Sequence, residues 1–267
     1  MRASGQTLSR KLIALAKAVC LIGFPAIPAL IYLSGVHPSL PGPTSGDQIR
    51  QIAEQSVRWT QVHFAFSVAG FLGLATLFIL RGLVPSSIPL QIATAIGLIG
   101  GVVFTGTVLM EVSVIPELAL ACRASPGCLS PANVSFADEL ANQGWRILPG
   151  LTLGGRILML GIALLSAIAL AKGALRFWEA APLFAGSLIE LTLNTGLHAW
   201  GNFNLSRGMP GLAAVALLAG GLALSARLVR EAWGGRPKSS TSASPAQQIG
   251  PTPQEIGPAP GEIPTST

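Results

Sequence analysis

Three polar side chains interrupt an apolar stretch in SLIELTLNTGLHAWGNF, where Glu190, Asn194 and His198 follow one another at steps of four residues. At about 100° per residue in an α-helix, these side chains and that of Ser187 fall within an arc of roughly 80°. A carboxylate, an amide, an imidazole and a hydroxyl on one helix face can bind a polar ligand or carry a proton. Such groups are costly against lipid, so the pattern predicts a polar stripe facing a bundle interior or water.

Three further ionisable residues, His63, Glu111 and Arg156, lie in other apolar stretches. Arg156 and Glu190 are each eight or nine residues inside their stretch, which predicts an ion pair about 12–14 Å deep, near the middle of a bilayer. His63, Glu111 and His198 lie within one or two turns of the outer boundary and predict a second polar layer above that pair. Two alternatives stay open: the pair only sets helix register, and the histidines extend toward interfacial water.

The outer layer also has the composition of a metal site. His63, Glu111 and His198 match the two-histidine, one-carboxylate set of catalytic zinc, with a fourth position open. Alternatively, the two histidines, at matched depth on different helices, match the axial ligands of a haem. Zinc and haem are therefore the two cofactors with which this pattern is compatible. The chain has no HExxH-type spacing, nucleophile motif, phosphate-binding loop or CxxC pair, so the sequence gives no support for an enzyme.

The elements that position these residues are membrane-spanning helices. Half of the 267 residues are hydrophobic, only 10% are charged, and the mean hydropathy is +0.59. A soluble domain carries about 25% charged residues. Segments this apolar cross a bilayer as helices, which satisfy their own backbone hydrogen bonds. We predict an all-α, polytopic bundle with six spans: Leu12–Val36, Thr60–Leu80, Leu90–Ile115, Ile147–Ala171, Pro182–Trp200 and Gly211–Val229.

The basic residues beside these spans predict their orientation. Eleven of the 17 lysines and arginines lie on the side of the two termini, five lie on the other side, and Arg156 is inside a span. By the positive-inside rule, both termini are cytoplasmic, and we expect a multi-pass protein of a bacterial inner membrane. The net charge of +6 then reflects topology, with the lipid bilayer and not nucleic acid as the partner.

The connections and the tail add three expectations. Cys122 and Cys128 flank a Pro-Gly turn signal in the outer loop CRASPGC, which predicts a disulfide. Short helices are expected at the outer surface in TSGDQIRQIAEQSVRWTQ and SFADELANQG. Residues 1–233 form the membrane domain, and the Pro-rich repeats of residues 234–267 predict a disordered cytoplasmic tail, with docking of a protein partner as the alternative.

The span layout, the histidine at the start of span two and the acidic end of span three resemble the small six-helix bacterial integral membrane proteins of unknown function. That resemblance implies a fold and no activity. From the residues we expect an outward-facing polar pocket that binds or transports a small polar or amphiphilic ligand. The alternatives are a metal- or haem-binding membrane protein and a non-catalytic structural subunit of a membrane complex.

Overall fold

The computed structural model describes residues 2–36, 52–125, 148–194 and 203–234, with side chains placed in 7–36, 52–125, 153–191 and 211–234. All regular structure in these ranges is helical, which confirms the all-α prediction. The elements are α1 (Arg2–Leu33), α2 (Ser56–Gly82), α3 (Ile88–Ala124), α4 (Leu148–Ala171), α5 (Phe177–Leu188), a π-helix (Ile189–Asn194) and α6 (Phe203–Trp233).

The helices form a closed ring in chain order. Each helix packs against the next one along the chain, and α6 returns to pack against α1. The centre of this ring holds the main core cluster, to which Leu21, Leu77, Leu158 and Leu224 contribute from four different helices. The ring therefore encloses one interior into which every helix can present a face.

Five helical segments are long and apolar enough to cross a membrane: Thr7–Leu33, Ser56–Gly82, Ile88–Ala124, Leu153–Ala171 and Gly211–Trp233. They coincide with five of the six predicted spans. The predicted span Pro182–Trp200 differs, because α5 begins earlier, at Phe177, and the chain changes to a π-helix after Leu188. Residues 195–200 lie outside the described residues, so a sixth span stays a prediction.

Polarity is distributed as in a protein whose exterior is in contact with lipid. On α2, Phe64, Phe71 and Phe78 recur every seven residues and are all more than half exposed. His63 and Ser67 of the same helix are instead buried. Apolar rings outside and polar groups inside reverse the arrangement of a water-soluble bundle and suit a hydrocarbon solvent.

The tightest contact in the ring joins α3 and α4. A Cβ on Gly100 would meet the backbone of Leu158 and the carbonyl oxygen of Gly154, and a Cβ on Gly161 would meet the backbone of Gly97. The two backbones touch directly, as small residues permit at helix interfaces in membranes. This contact fixes the rotation of α3 and α4, and with it the direction of their polar side chains.

The end of the ring near the α4–α5 turn is held by an ionic network that the sequence analysis did not predict. Nε of Arg227 on α6 lies 2.8 Å from Oε1 of Glu179, a carboxylate that is only 1% exposed. Oε2 of Glu179 accepts a hydrogen bond from the backbone N–H of Arg176 (2.9 Å). The Arg227 guanidinium also donates to the carbonyl of Ala174 (2.9 Å). This latch ties the turn before α5 to the last turns of α6.

Two further predictions meet the described residues only in part. The expected outer helix before span two is described only from residue 52 on, where residues 52–54 form a helical turn that Gln55 separates from α2. The expected outer helix in SFADELANQG lies outside the described residues, as does the tail after Gly234.

Cys122 is buried near the end of α3. Its predicted partner Cys128 lies outside the described residues, so the bridge stays a prediction.

Candidate functional site

A cavity of about 80 Å³ lies in the centre of the ring, between α1, α2, α3, α4, α6 and the π-helix. Its walls are almost entirely apolar and rich in aromatic and proline side chains. Among the described residues, Tyr32 and Glu190 are the two that line it with a polar side chain. The described lining residues are Phe24, Pro25, Pro28, Tyr32, Phe66, Ala69, Phe104, Gly155, Leu158, Met159, Glu190, Ala213, Ala214 and Leu217.

The wall contributed by α1 contains both of its internal prolines, Pro25 and Pro28. Proline has no backbone N–H, so Pro25 cannot bond the Leu21 carbonyl four residues earlier. Gly221 of α6 lies against that carbonyl so closely that a Cβ there would strike the oxygen. The backbone of α6 therefore packs directly against α1 at the carbonyl that lacks its helical hydrogen bond.

Glu190 reaches the cavity from the π-helix that follows α5. In such a turn each N–H bonds to the carbonyl five residues back, which widens the helix. The 100° repeat of an α-helix consequently does not hold across residues 189–194. Short π-helical turns recur at functional sites, and here the turn carries the charged side chain of the cavity lining.

Tyr32 has two acidic groups within electrostatic range. It interacts electrostatically with Glu190, which lines the cavity, and with Glu111 on α3. Its ring also packs against that of Phe66, with centroids 5.7 Å apart. Tyr32 is one residue from the end of α1, so the polar side of the cavity lies toward the end of the ring where α1 ends and α2 begins.

Beside the cavity, His63 and Glu111 form a buried pair. Their side chains are only 6% and 4% exposed, and Nε2 of His63 lies 3.7 Å from Oε1 of Glu111. Nδ1 of His63 is 2.8 Å from the carbonyl oxygen of Trp59. A carbonyl only accepts, so Nδ1 carries a hydrogen and Nε2 is the nitrogen that gains or loses a proton.

The two groups form an ion pair when His63 is protonated and Glu111 is ionised. Trp59 holds the ring in place, since its indole stacks on the imidazole at 4.0 Å between centroids and 21° between planes. Within the described part of the chain, Oε2 of Glu111 is buried and has no hydrogen-bond partner. This second carboxylate oxygen can therefore accept a further hydrogen bond near the cavity.

The structure brings together some of the predicted site residues and separates others. Glu190 lines the cavity, and His63 and Glu111 form the pair beside it. Arg156 and Glu190, expected as an ion pair, are not among the ion pairs of the described residues. Gly155, Leu158 and Met159 of α4 line the cavity, and Arg156 is not among its lining residues.

Ser187, the first member of the predicted stripe, does not line the cavity. It is fully buried, and its hydroxyl donates to the carbonyl of Leu183 at 2.8 Å. A serine that bonds the carbonyl four residues back satisfies itself within the helix and needs no ligand. The side chain of Asn194 and all of His198 lie outside the described residues, so their part in the site stays a prediction.

The described residues contain no group of three or more histidines, cysteines or acids positioned for a metal ion. His63 and Glu111 supply only two ligands, and both proposed cofactor arrangements, zinc and haem, also require His198. A third zinc ligand or a second axial haem ligand would have to come from that undescribed position. The zinc and haem alternatives consequently stay predictions.

The sequence analysis missed the aromatic half of the site. It followed ionisable residues in apolar stretches and passed over Tyr32, which is the single tyrosine of the chain, and the phenylalanines of the cavity wall. An aromatic residue in an apolar helix is ordinarily packing, so no local signal separates Phe24 or Phe104 from Phe71, which is exposed. The singular tyrosine near the end of span one was the available signal.

Comparisons of the chain with protein-family models, curated proteins and solved structures gave no match. The function must therefore be inferred from the geometry of the cavity and of the pair beside it.

Proposed function

We propose that the protein is a bacterial integral membrane protein that binds a small amphiphilic molecule in the central cavity. The exposed phenylalanines and the five apolar helices support membrane insertion. The distribution of basic residues supports a position in the cytoplasmic membrane with both termini inside. In that orientation the polar side of the cavity is directed away from the cytoplasm.

The observation that carries the proposal is the composition of the cavity wall. Ligand sites are mostly apolar, with a few polar groups that orient the ligand, and in the described part of the chain twelve apolar residues line the cavity together with Tyr32 and Glu190. An amphiphilic molecule matches this wall better than a purely polar one, because the aromatic and aliphatic side chains offer no hydrogen bonds. Its apolar part would contact the phenylalanines, and its polar part would lie beside Tyr32 and Glu190.

The experiment compares ligand binding by the parent protein with binding by a variant in which a larger side chain partly fills the cavity. Ala214 lines the cavity and is buried, whereas Ala219 on the same helix is exposed. Ala214→Leu fills part of the cavity, and Ala219→Leu makes the same change on the outer face. The purified proteins, in nanodiscs of zwitterionic lipid, are titrated with n-butanol, n-butylammonium and butyrate by isothermal calorimetry.

We expect the parent protein and Ala219→Leu to bind at least one of these probes saturably, and Ala214→Leu to bind it about tenfold more weakly or not at all. Equal binding by all three proteins would place the bound probe elsewhere and contradict the proposal. So would saturable binding of none of the probes by the parent protein.

A further inference from the structure

The turn between α4 and α5 presents two cations and two aromatic side chains on the outside of the ring. Lys172 and Arg176 are exposed in this turn. Phe177 and Trp178, the first two residues of α5, are 69% and 61% exposed. Basic side chains beside exposed aromatic rings are typical of a membrane–water interface, where the rings lie at the level of the headgroups and the cations reach toward the phosphates.

Contacts inside the ring hold this turn in place. Leu175 is only 2% exposed and belongs to the main core cluster. The carbonyl of Ala174 accepts a hydrogen bond of 2.9 Å from the guanidinium of Arg227. Because these two residues are fixed from the inside, Lys172 and Arg176 on either side of them are held at the outer surface.

The two cations are available to an anion. No ion pair of the described residues involves Lys172 or Arg176. The acid closest to them in the sequence, Glu179, is 1% exposed and lies 2.8 Å from Arg227 instead. The guanidinium of Arg176 lies over the ring of Trp178, 5.6 Å from its centroid, and this contact positions the cation without neutralising its charge.

A row of phenylalanines continues from the cations along α5. Phe184 is 38% exposed and follows Phe177 by seven residues. Seven residues are almost two full helical turns, so the two rings share one face and lie about 10 Å apart along the helix. The matching ligand is therefore an anionic group joined to a hydrocarbon chain, which is the chemistry of an anionic phospholipid.

A second cation–tryptophan pair lies at the same end of the ring. Nζ of Lys11 on α1 lies over the ring of Trp233 on α6, 5.4 Å from its centroid, and that ring is 47% exposed. The ion pair of Glu179 with Arg227 joins the first turn of α5 to the last turns of α6, so both pairs lie at one end. Two such pairs on different helices favour a headgroup layer at this level.

We propose that an anionic phospholipid of the cytoplasmic leaflet binds the α4–α5 surface, which consists of Lys172, Arg176, Phe177, Trp178 and Phe184. Its phosphate lies beside the two cations, and one acyl chain follows the phenylalanines. This inference rests on the membrane insertion and orientation that the proposed function includes, and it does not depend on a ligand in the cavity.

The test measures which lipid lies beside Trp178. Brominated lipids quench the fluorescence of a tryptophan that they contact. The proteins are placed in nanodiscs that contain brominated phosphatidylglycerol or brominated phosphatidylcholine with the same acyl chains. The emission of Trp178 is the difference between each protein and its Trp178→Phe counterpart, and the two quenching curves give the preference for the anionic lipid.

Arg176→Gln and Lys172→Gln each remove one charge from an exposed side chain and leave the ion pair of Glu179 with Arg227 in place. Arg123→Gln is the matched control. Arg123 is also exposed, but it lies near the end of α3. Because α3 and α4 are antiparallel, with Gly97 against Gly161 and Gly100 against Gly154, that position is at the opposite end of the ring.

We expect the parent protein and Arg123→Gln to prefer phosphatidylglycerol by about 25-fold, since each of two cations near an anionic lipid surface contributes about fivefold. Arg176→Gln and Lys172→Gln should each lower the preference to about fivefold, and the double variant should abolish it. A large excess of glycerol 3-phosphate, which has no acyl chain, should not relieve the quenching by brominated phosphatidylglycerol.

Three results would overturn the inference and leave the proposed function standing. The first is equal quenching of Trp178 by the two lipids in the parent protein. The second is an equal loss of preference in Arg176→Gln and Arg123→Gln. The third is relief of quenching by glycerol 3-phosphate, which would show a site for a soluble anion. Absence of quenching by either lipid would instead also refute the membrane insertion on which the proposed function depends.

Discussion

The latch between Glu179 and Arg227 allows the sharpest prediction of stability. Glu179→Ala removes a carboxylate that is 1% exposed and leaves the guanidinium of Arg227, 20% exposed, without its 2.8 Å partner. Removing one partner of a buried ion pair costs about 3–5 kcal/mol. Arg227 retains some solvent access and its hydrogen bond to Ala174, so we expect the low end, about 3 kcal/mol.

Two further variants separate the contribution of the Glu179 charge to the free energy of unfolding from other contributions. Glu179→Gln removes the charge but keeps an oxygen that accepts from the backbone N–H of Arg176, a hydrogen bond worth about 1 kcal/mol. We therefore expect this variant to lose about 2 kcal/mol. Glu231→Ala is the control, because Glu231 is 55% exposed and lies 3.7 Å from the same guanidinium. An exposed pair of this kind contributes less than about 0.5 kcal/mol.

The free energy of unfolding can be measured for the four proteins in mixed micelles, by titration with a denaturing detergent and circular dichroism at the helical band. We expect the order of stability to be parent, Glu231→Ala, Glu179→Gln and Glu179→Ala, from most to least stable. If Glu179→Ala costs no more than Glu231→Ala, then Glu179 does not form the buried contacts from which these magnitudes are derived.

Three further predictions concern packing, the buried pair and the outer loop. Gly100→Ala should lower the free energy of unfolding by about 1–3 kcal/mol, because its Cβ would meet the α4 backbone. Gly106→Ala is the control, since nothing lies within 4 Å of a Cβ there, and it should not lower the free energy of unfolding in the same titration. Equal losses in the two variants would contradict the α3–α4 contact. His63→Leu should cost about 2 kcal/mol, because it removes the side-chain hydrogen bond to the Trp59 carbonyl and leaves Glu111 without its buried partner. Glu111→Gln should cost less than half as much; the reverse order would refute the pair. Mass spectrometry after alkylation without reductant should show Cys122 and Cys128 joined and unmodified, and alkylation of both would exclude the bridge.

Only those features of the candidate site that depend on a single helix were predictable from the sequence. The polar residues of the apolar stretches identified Glu190, His63 and Glu111, because an ionisable side chain in a span is conspicuous in composition alone. The expected ion pair of Glu190 with Arg156 is not among the ion pairs of the described residues, and the predicted set of site residues stays a prediction. Depth along the two helices was compatible, but pairing also requires the two side chains to face each other, and the α3–α4 contact at Gly100 sets the rotation of α4.

Local composition by itself determined that the chain is helical, which five segments can cross a membrane and which residues stand out as polar within them. Each of these properties depends on residues near one another in sequence, since a helix in lipid satisfies its backbone hydrogen bonds within one segment. The tertiary structure alone decided that four aromatic residues and Glu190 enclose one cavity, that His63 pairs with Glu111, and that Glu179 is bound to Arg227. Those contacts join residues on different helices, and they depend on the rotation of each helix in the ring and on the π-helical turn at Glu190, neither of which local sequence spacing encodes.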